Sequence, residues 1–285
     1  MTPGLLAGRP RRTLASPTAI LEGVGLHSGA DASVRVLPTP PGAGRLFRDP
    51  EAGQEFPAVA SNAEESARCT IVRGGPAAVQ TVEHLLSALA ALGVDDCVIE
   101  TRGGELPAAD GSAAPFVALL QAAGLRDQPD TAPVEGLTPA RACLVAGEGG
   151  AVLIALPAPH FQATVVLDYP DHPWIGTQAV AFDAAVDDYV RDVAPARTFG
   201  FARELDWLRA RGLALGASHD NALALGEDGY LGARRFPDEL ARHKLLDLIG
   251  DLSLAGAPLR AHVIAVKPSH ALNVRLARML TGELP

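Results

Sequence analysis

The ten residues RHKLLDLIGD, 242 to 251, carry three groups able to do chemistry: His243, Asp247 and Asp251, each four residues from the last. A helix turns about 100° per residue. With His243 at zero, Asp247 falls near 40° and Asp251 near 80°. Leu245, Leu248, Ile249 and Leu252 fall between about 140° and 240°, so the ionisable groups share one edge beside an apolar stripe. Two explanations compete. A solvated edge with His–Asp pairs at i, i+4 is the cheaper. A metal site is the costlier: a His nitrogen and a carboxylate oxygen one turn apart can bind one ion. This helix alone leaves both open.

Other residues bear on the choice. His84 follows Glu83 in TVEHLLSALAALG, 81 to 93, where Val82, Leu85, Leu86, Leu89 and Leu92 form a helical stripe. His84 points away from that stripe, so it is not a core-filling residue of its own helix. His270 lies in the turn KPSH after the strand-like AHVIAV, 261 to 266, a place where catalytic groups often sit. Three protein ligands with an open position define a catalytic zinc. His84, His243 and Asp247 would supply them, with Glu83 a carboxylate near the activated water and His270 a second proton-transfer group. That set suits hydrolysis. There is no HExxH, no GxSxG and no P-loop. His27, in the glycine-rich GVGLHSG, is read as a structural loop residue.

These residues must be positioned by elements that the pattern also shows. The chain has 285 residues, 48% hydrophobic and 20% charged, which is globular and long enough for two domains. RDQPDTAPVEGLTPA, 126 to 140, reads as a linker. The division expected is 9–126, a linker at 127–138, and 139–282. In the first part a helix over 81–93 ends at Gly93. DDCVIET reads as a buried strand, and a second helix spans 110–124, capped by Asp110 or Ser112. In the second part AVLIAL and QATVVLDY read as a hairpin. Helices are expected over 203–212, 236–256 and 271–280. Each part is then an α+β layer of sheet against helices.

Net charge is −9, from 24 basic and 33 acidic residues, with no basic run, which argues against nucleic acid. Three scattered cysteines form no CxxC, which disfavours disulfides and cysteine zinc clusters. No stretch has the length and apolarity of a membrane span or signal peptide. A cytoplasmic setting and a monomer are expected.

With these residues in hand, the chain resembles the UDP-3-O-acyl-N-acetylglucosamine deacetylases, zinc amidases of lipid A synthesis. The resemblance is carried by GVGLHSG, TVEHLLSALAALGVDD, ELPAADGSAAPFV, HPWIG, ARTFGF, RHKLLDLIGDL and SHALN, in the family's order along nearly the whole chain. It implies two domains of similar topology with the active site between them, and a nucleotide-sugar substrate bearing an acyl chain. It implies His84, His243 and Asp247 as zinc ligands, Glu83 as general base and His270 as the acid. Asp251 would hold His270 protonated, Thr198 would stabilise the oxyanion and Lys244 would face the substrate. Phe199, Leu26 and Cys69 would line the substrate side. Iron is an alternative metal for such a donor set. Two stretches depart from the family pattern: ARCT (67–70), beside the expected acyl passage, and GEGGAV (147–152), which lacks the usual base. They keep in view a deacetylase of another acetamido sugar, or a non-catalytic nucleotide-sugar or lipid-binding relative.

Overall fold

The computed structural model describes residues 1–51, 53–66 and 68–284. Ala67, half of the Ala67–Arg68 departure, lies outside them. Two five-stranded sheets organise the chain. The first comprises β1 (Leu21–Val24), β2 (Asp31–Pro38), β3 (Arg45–Arg48), β4 (Glu55–Pro57) and β5 (Cys97–Arg102), in the spatial order 1-2-5-3-4. The second comprises β6 (Cys143–Ala146), β7 (Val152–Pro157), β8 (Gln162–Tyr169), β9 (Gly176–Asp183) and β10 (Ala261–Val266), in the order 6-7-10-8-9. The two orders are the same pattern. In each sheet the last strand enters the middle, antiparallel to the second strand and parallel to the third.

The helices repeat the pattern too. Helix α1 (Glu83–Leu92) precedes β5 and α2 (Ala114–Ala123) follows it; α3 (Glu239–Leu252) precedes β10 and α4 (His270–Leu280) follows it. Each half inserts a small sheet between its fourth strand and that first helix. The first half has the meander Ala63–Glu64, Ile71–Gly74 and Ala77–Gln80. The second has the parallel pair Phe199–Phe201 and Leu223–Leu225. The mixed α+β, two-part layout expected from the sequence is the one observed.

Four local expectations are corrected. AVLIAL and QATVVLDY do not form a hairpin, because β10 lies between them. AHVIAV is buried at alternate residues, and a central place pairs its backbone groups on both edges. Over 203–212 only Leu205–Arg209 is α-helical, after a 3-10 turn at Ala202–Glu204. None of those helical residues is buried, and a short helix without a packed face is marginal. Neither Asp110 nor Ser112 is the N-cap of α2. The cap is Ala113, and Ser112 Oγ instead accepts from the Ala114 amide at 3.2 Å. Finally, the long helix starts at Glu239, not 236, and finishes as a 3-10 turn over Ser253–Ala255.

Helices α1 and α3 pack on each other across the seam between the halves. All of α1 except Leu92 is buried, and all of α3 except Arg242 and Lys244. Gly250 makes this approach possible: a Cβ there would collide with the backbone carbonyl of Glu83. Ser87 and the fully buried Tyr189 share a 2.7 Å hydrogen bond across the same seam.

Candidate metal centre and proton-transfer site

The seam between α1 and α3 is where the chemistry-bearing residues meet. Glu83 and His84 open α1, His243, Asp247 and Asp251 line one edge of α3, and His270 is the first residue of α4. All six are at least 95% buried, so a solvated helix edge does not account for the spacing in RHKLLDLIGD. Buried charges require partners, and here the partners are one another.

His84, His243 and Asp247 form the first cluster. Asp247 Oδ1 lies 3.3 Å from His243 Nε2 and 3.6 Å from His84 Nε2, and it has no hydrogen-bond partner among the described residues. Two imidazole nitrogens and an orphaned carboxylate oxygen therefore face one point. Ligands about 2.0–2.1 Å from a tetrahedrally bound ion sit about 3.4 Å from each other. The spacing and the donor types fit a divalent metal. His243 Nδ1 meets the Ala196 carbonyl at 3.1 Å, which sets the tautomer that leaves Nε2 as a free donor to metal. Burial pushes His243 down to about 3, so that nitrogen is unprotonated at neutral pH.

Asp247 is held well below the usual carboxylate range. Burial opposes this. His243 would contribute most if charged, but it is neutral, so Lys244 and His270 carry the effect. Lys244 Nζ is 2.7 Å from Asp247 Oδ2, and His270 Nε2 is 3.7 Å from the same oxygen.

Glu83, Asp251 and His270 form the second cluster. Asp251 Oδ2 lies 3.0 Å from His270 Nδ1 and accepts from Asn273 Nδ2 at 2.8 Å. Its Oδ1 accepts from the Thr70 hydroxyl at 2.5 Å. Burial and the positive N-terminus of α4 both disfavour a charged His270. The carboxylates of Asp251, of Glu83 (3.9 Å) and of Asp247 outweigh them, raising His270 to about 9. Glu83 moves upward as well, chiefly through burial. One of its oxygens accepts the Thr70 amide at 3.0 Å, leaving the other toward His270. The pair is thus poised as a carboxylate that takes a proton beside an imidazolium that gives one.

The remaining expected residues surround these clusters. Phe199 stands edge-on to His243, ring centres 6.1 Å apart, and Lys244 Nζ is 5.8 Å from the Phe199 ring centre. Thr198 is partly buried; its backbone is fixed by Gly111 and Leu223, and its hydroxyl has no partner among the described residues. Leu26 and Cys69 are buried one residue from His27 and Thr70 respectively. Burial pushes the Cys69 thiol up to about 12, so it is chemically inert. Arg68 turns toward Glu204, 3.3 Å away. Within 147–152, residues 147–150 are an exposed turn with Gly149 in the left-handed conformation, and Val152 already begins β7.

Several residues that position the site received no role from the sequence. Arg197, inside ARTFGF, pairs with the fully buried Glu239 of α3 at 2.8 Å. That fixes the segment whose Ala196 carbonyl orients His243. Glu105 accepts from the amides of His27 and Ser28 and from the Thr81 hydroxyl, tying GVGLHSG to the turn before α1. Asn273 was legible, three residues after His270 on one helix. Thr70 was not, since it lies just before the strand Ile71–Gly74 and is 181 residues from Asp251 in sequence. Both ring nitrogens of His27 are buried without a partner among the described residues.

A buried cluster of two histidines and an aspartate beside a carboxylate–imidazole pair, in a seam between repeated α+β halves, has the donor types that a hydrolytic metal site uses. Comparison with known proteins places the chain in a family. Residues 11–282 match the LpxC family, described as UDP-3-O-acyl N-acetylglycosamine deacetylase. A relative from Myxococcus xanthus, UDP-3-O-acyl-N-acetylglucosamine deacetylase, is 42% identical over 96% of this chain and 87% of its own. Like-named proteins from Syntrophotalea carbinolica (40%, covering 95% of this chain and 87% of its own) and Anaeromyxobacter sp. (42%, 92% and 85%) are similar as well. The chain belongs to the UDP-3-O-acyl N-acetylglycosamine deacetylase family. No helix among the described residues is long and apolar enough to cross a membrane.

Proposed function

We propose that the chain is a zinc-dependent N-deacetylase that hydrolyses the acetamide of UDP-3-O-acyl-N-acetylglucosamine to the free amine and acetate, a step of lipid A synthesis. The observation that carries the reading is the orphaned Asp247 Oδ1 between two histidine nitrogens, next to an intact Glu83–His270 pair. His84, His243 and Asp247 would hold the ion; zinc suits the donors, and iron is the other metal such a set accepts. When bound, the ion supplies Lewis-acid polarisation of the amide carbonyl and acidifies water.

The chain's own residues do the rest. Glu83 accepts a proton from water as its oxygen attacks the acetyl carbon. Thr198 donates to the oxygen on which negative charge develops. The C–N bond then breaks as His270 Nε2 delivers its proton to the leaving nitrogen. Asp251 keeps His270 charged for that delivery. Phe199, Leu26 and Cys69 shape the substrate side, and Lys244 leaves Asp247 to meet a polar group of the substrate. The same reading takes the chain as a cytoplasmic monomer, divided at 9–126, 127–138 and 139–282.

The test is acetate release from UDP-3-O-acyl-N-acetylglucosamine, with and without chelator. Chelator-sensitive turnover is expected. A metal-loaded protein that leaves this substrate untouched would refute the reading. Turnover of another acetylated sugar in its place would favour a sister specificity, which the base-free turn at 147–152 motivates.

A further inference from the structure

On the flank of α3 away from the catalytic edge, the two halves leave a cavity of about 240 Å³. Ile249, Leu252 and Ser253 of α3 face it, at roughly 240°, 180° and 280° on the wheel that puts His243 at zero. Ala90 of α1, Leu5 and Phe161 also line it, so its walls come from both halves and combine an apolar side with a polar one. Three arginines reach it, and their bookkeeping differs. Arg9 is paired with both oxygens of Asp95, and Arg11 with both oxygens of Asp96. Arg45 donates its Nε to the Val94 carbonyl at 2.8 Å, and its two terminal nitrogens have no acceptor among the described residues. Burial lowers the Arg45 pKa.

Arg45 is half-buried and brings an unpaired guanidinium edge to the cavity, where an anion is its natural partner. The carboxylates of Asp95 and Asp96 favour its charge from a distance but give it no hydrogen bond. The Leu89, Ala90 and Leu92 carbonyls at the end of α1 are taken by Val94, Gly93 and Arg12, and Asp95 is taken by Arg9. The free edge of Arg45 is a pair of parallel N–H donors, the geometry that suits a carboxylate bound through both oxygens. An apolar cavity of 150 Å³ holds benzene, so this volume has room for about ten non-hydrogen atoms. We propose that the cavity is a binding site for an aliphatic carboxylate of about that size, its head on Arg45 and its tail between α1, α3 and Phe161. The site is separate from the catalytic seam and owes nothing to the metal.

Octanoate is the probe, titrated calorimetrically into the intact protein. Wild type should bind it at one site. Arg45→Gln should weaken binding at least tenfold, and Ala257→Phe, which fills the cavity and leaves Arg45 in place, should do the same. Turnover without octanoate should be unchanged in both. Absence of binding to wild type would overturn the proposal. So would binding that survives both variants and is lost in Phe199→Ala, because octanoate would then occupy the catalytic seam. Inorganic phosphate binding as tightly, with the same dependence on Arg45, would also overturn it, since the apolar walls would then contribute nothing.

Discussion

The two halves share a strand order, a central parallel pair, an insert in the same topological place and a helix on either side of the last strand. Their contributions to the chemistry are unequal. Of the six residues in the two clusters, the first half holds Glu83 and His84, adjacent at the start of α1. The second offers His243, Asp247 and Asp251 from α3 and His270 from α4. The counterpart of α4 is α2, whose first residues are Ala114, Pro115 and Phe116, none of which can transfer a proton. On the proposed reading, a repeated scaffold thus builds the walls twice and the reaction once. What the repetition does provide is two buried helices that meet face to face, so residues far apart in sequence approach within 4 Å.

That asymmetry predicts a hierarchy of effects. Removing a metal donor from either half should be the most damaging change. His84→Ala and Asp247→Ala should each lose bound metal and all measurable turnover, by metal analysis of the purified protein. Glu83→Gln, one residue away, should keep its metal while kcat falls by about 10² to 10⁴. Metal loss in Glu83→Gln would make the first half's contribution purely ligating and erase the division of labour.

Next comes the acid. With His270 raised to about 9, the proton donor is present below that pH and lost above it. The wild-type rate should rise as Glu83 ionises, above the usual carboxylate range, and fall again near pH 9. Asp251→Asn removes the nearest carboxylate, so the His270 pKa falls and the alkaline limb should move to lower pH by about one to three units, metal content unchanged. An unmoved limb would mean that Asp251 only fills space.

How much of this was legible in the sequence follows from range. The spacing in RHKLLDLIGD and the Glu83–His84 pair are local, and the elements carrying them were readable from periodicity. Resemblance to a family then tied the pieces together. The hairpin reading of AVLIAL and QATVVLDY failed because the competing partner, β10, lies about a hundred residues away, and short-range pattern has no view of it. Arg197 with Glu239 and Thr70 with Asp251 were hidden for the same reason. Burial was hidden too. Amphipathicity left open whether the ionisable edge of α3 faced water or a metal, whereas a second helix covers it; that burial shifts Glu83 upward and gathers the carboxylates that raise His270.

Gly250 tests the covering directly. Its missing side chain lets α3 lie against the Glu83 backbone. Gly250→Ala stays helix-compatible but forces the helices apart or strains them, at about 1–3 kcal/mol. Thermal unfolding should drop by about 2–4 °C for each kcal/mol. Turnover should fall further than stability does, because Glu83 moves relative to His270. A variant with normal melting and normal kcat would show that the seam tolerates a wider gap than its chemistry is argued to need.

The smallest effect is expected from the Ser87–Tyr189 hydrogen bond, which joins the halves beside the site without touching it. Both residues are fully buried, and burial raises the Tyr189 pKa, so the phenol stays neutral and donates or accepts within the pair alone. Tyr189→Phe should cost about 0.5–1.5 kcal/mol. Ser87→Ala should cost more, about 1–3 kcal/mol, because it strands a phenol that has no water to turn to. The double variant should cost less than the sum of the singles, since removing both partners leaves nothing unsatisfied. Denaturant unfolding of the four proteins measures the coupling. Additive losses would mean that the two hydroxyls have other partners, and that the halves are joined here by packing of α1 on α3 alone.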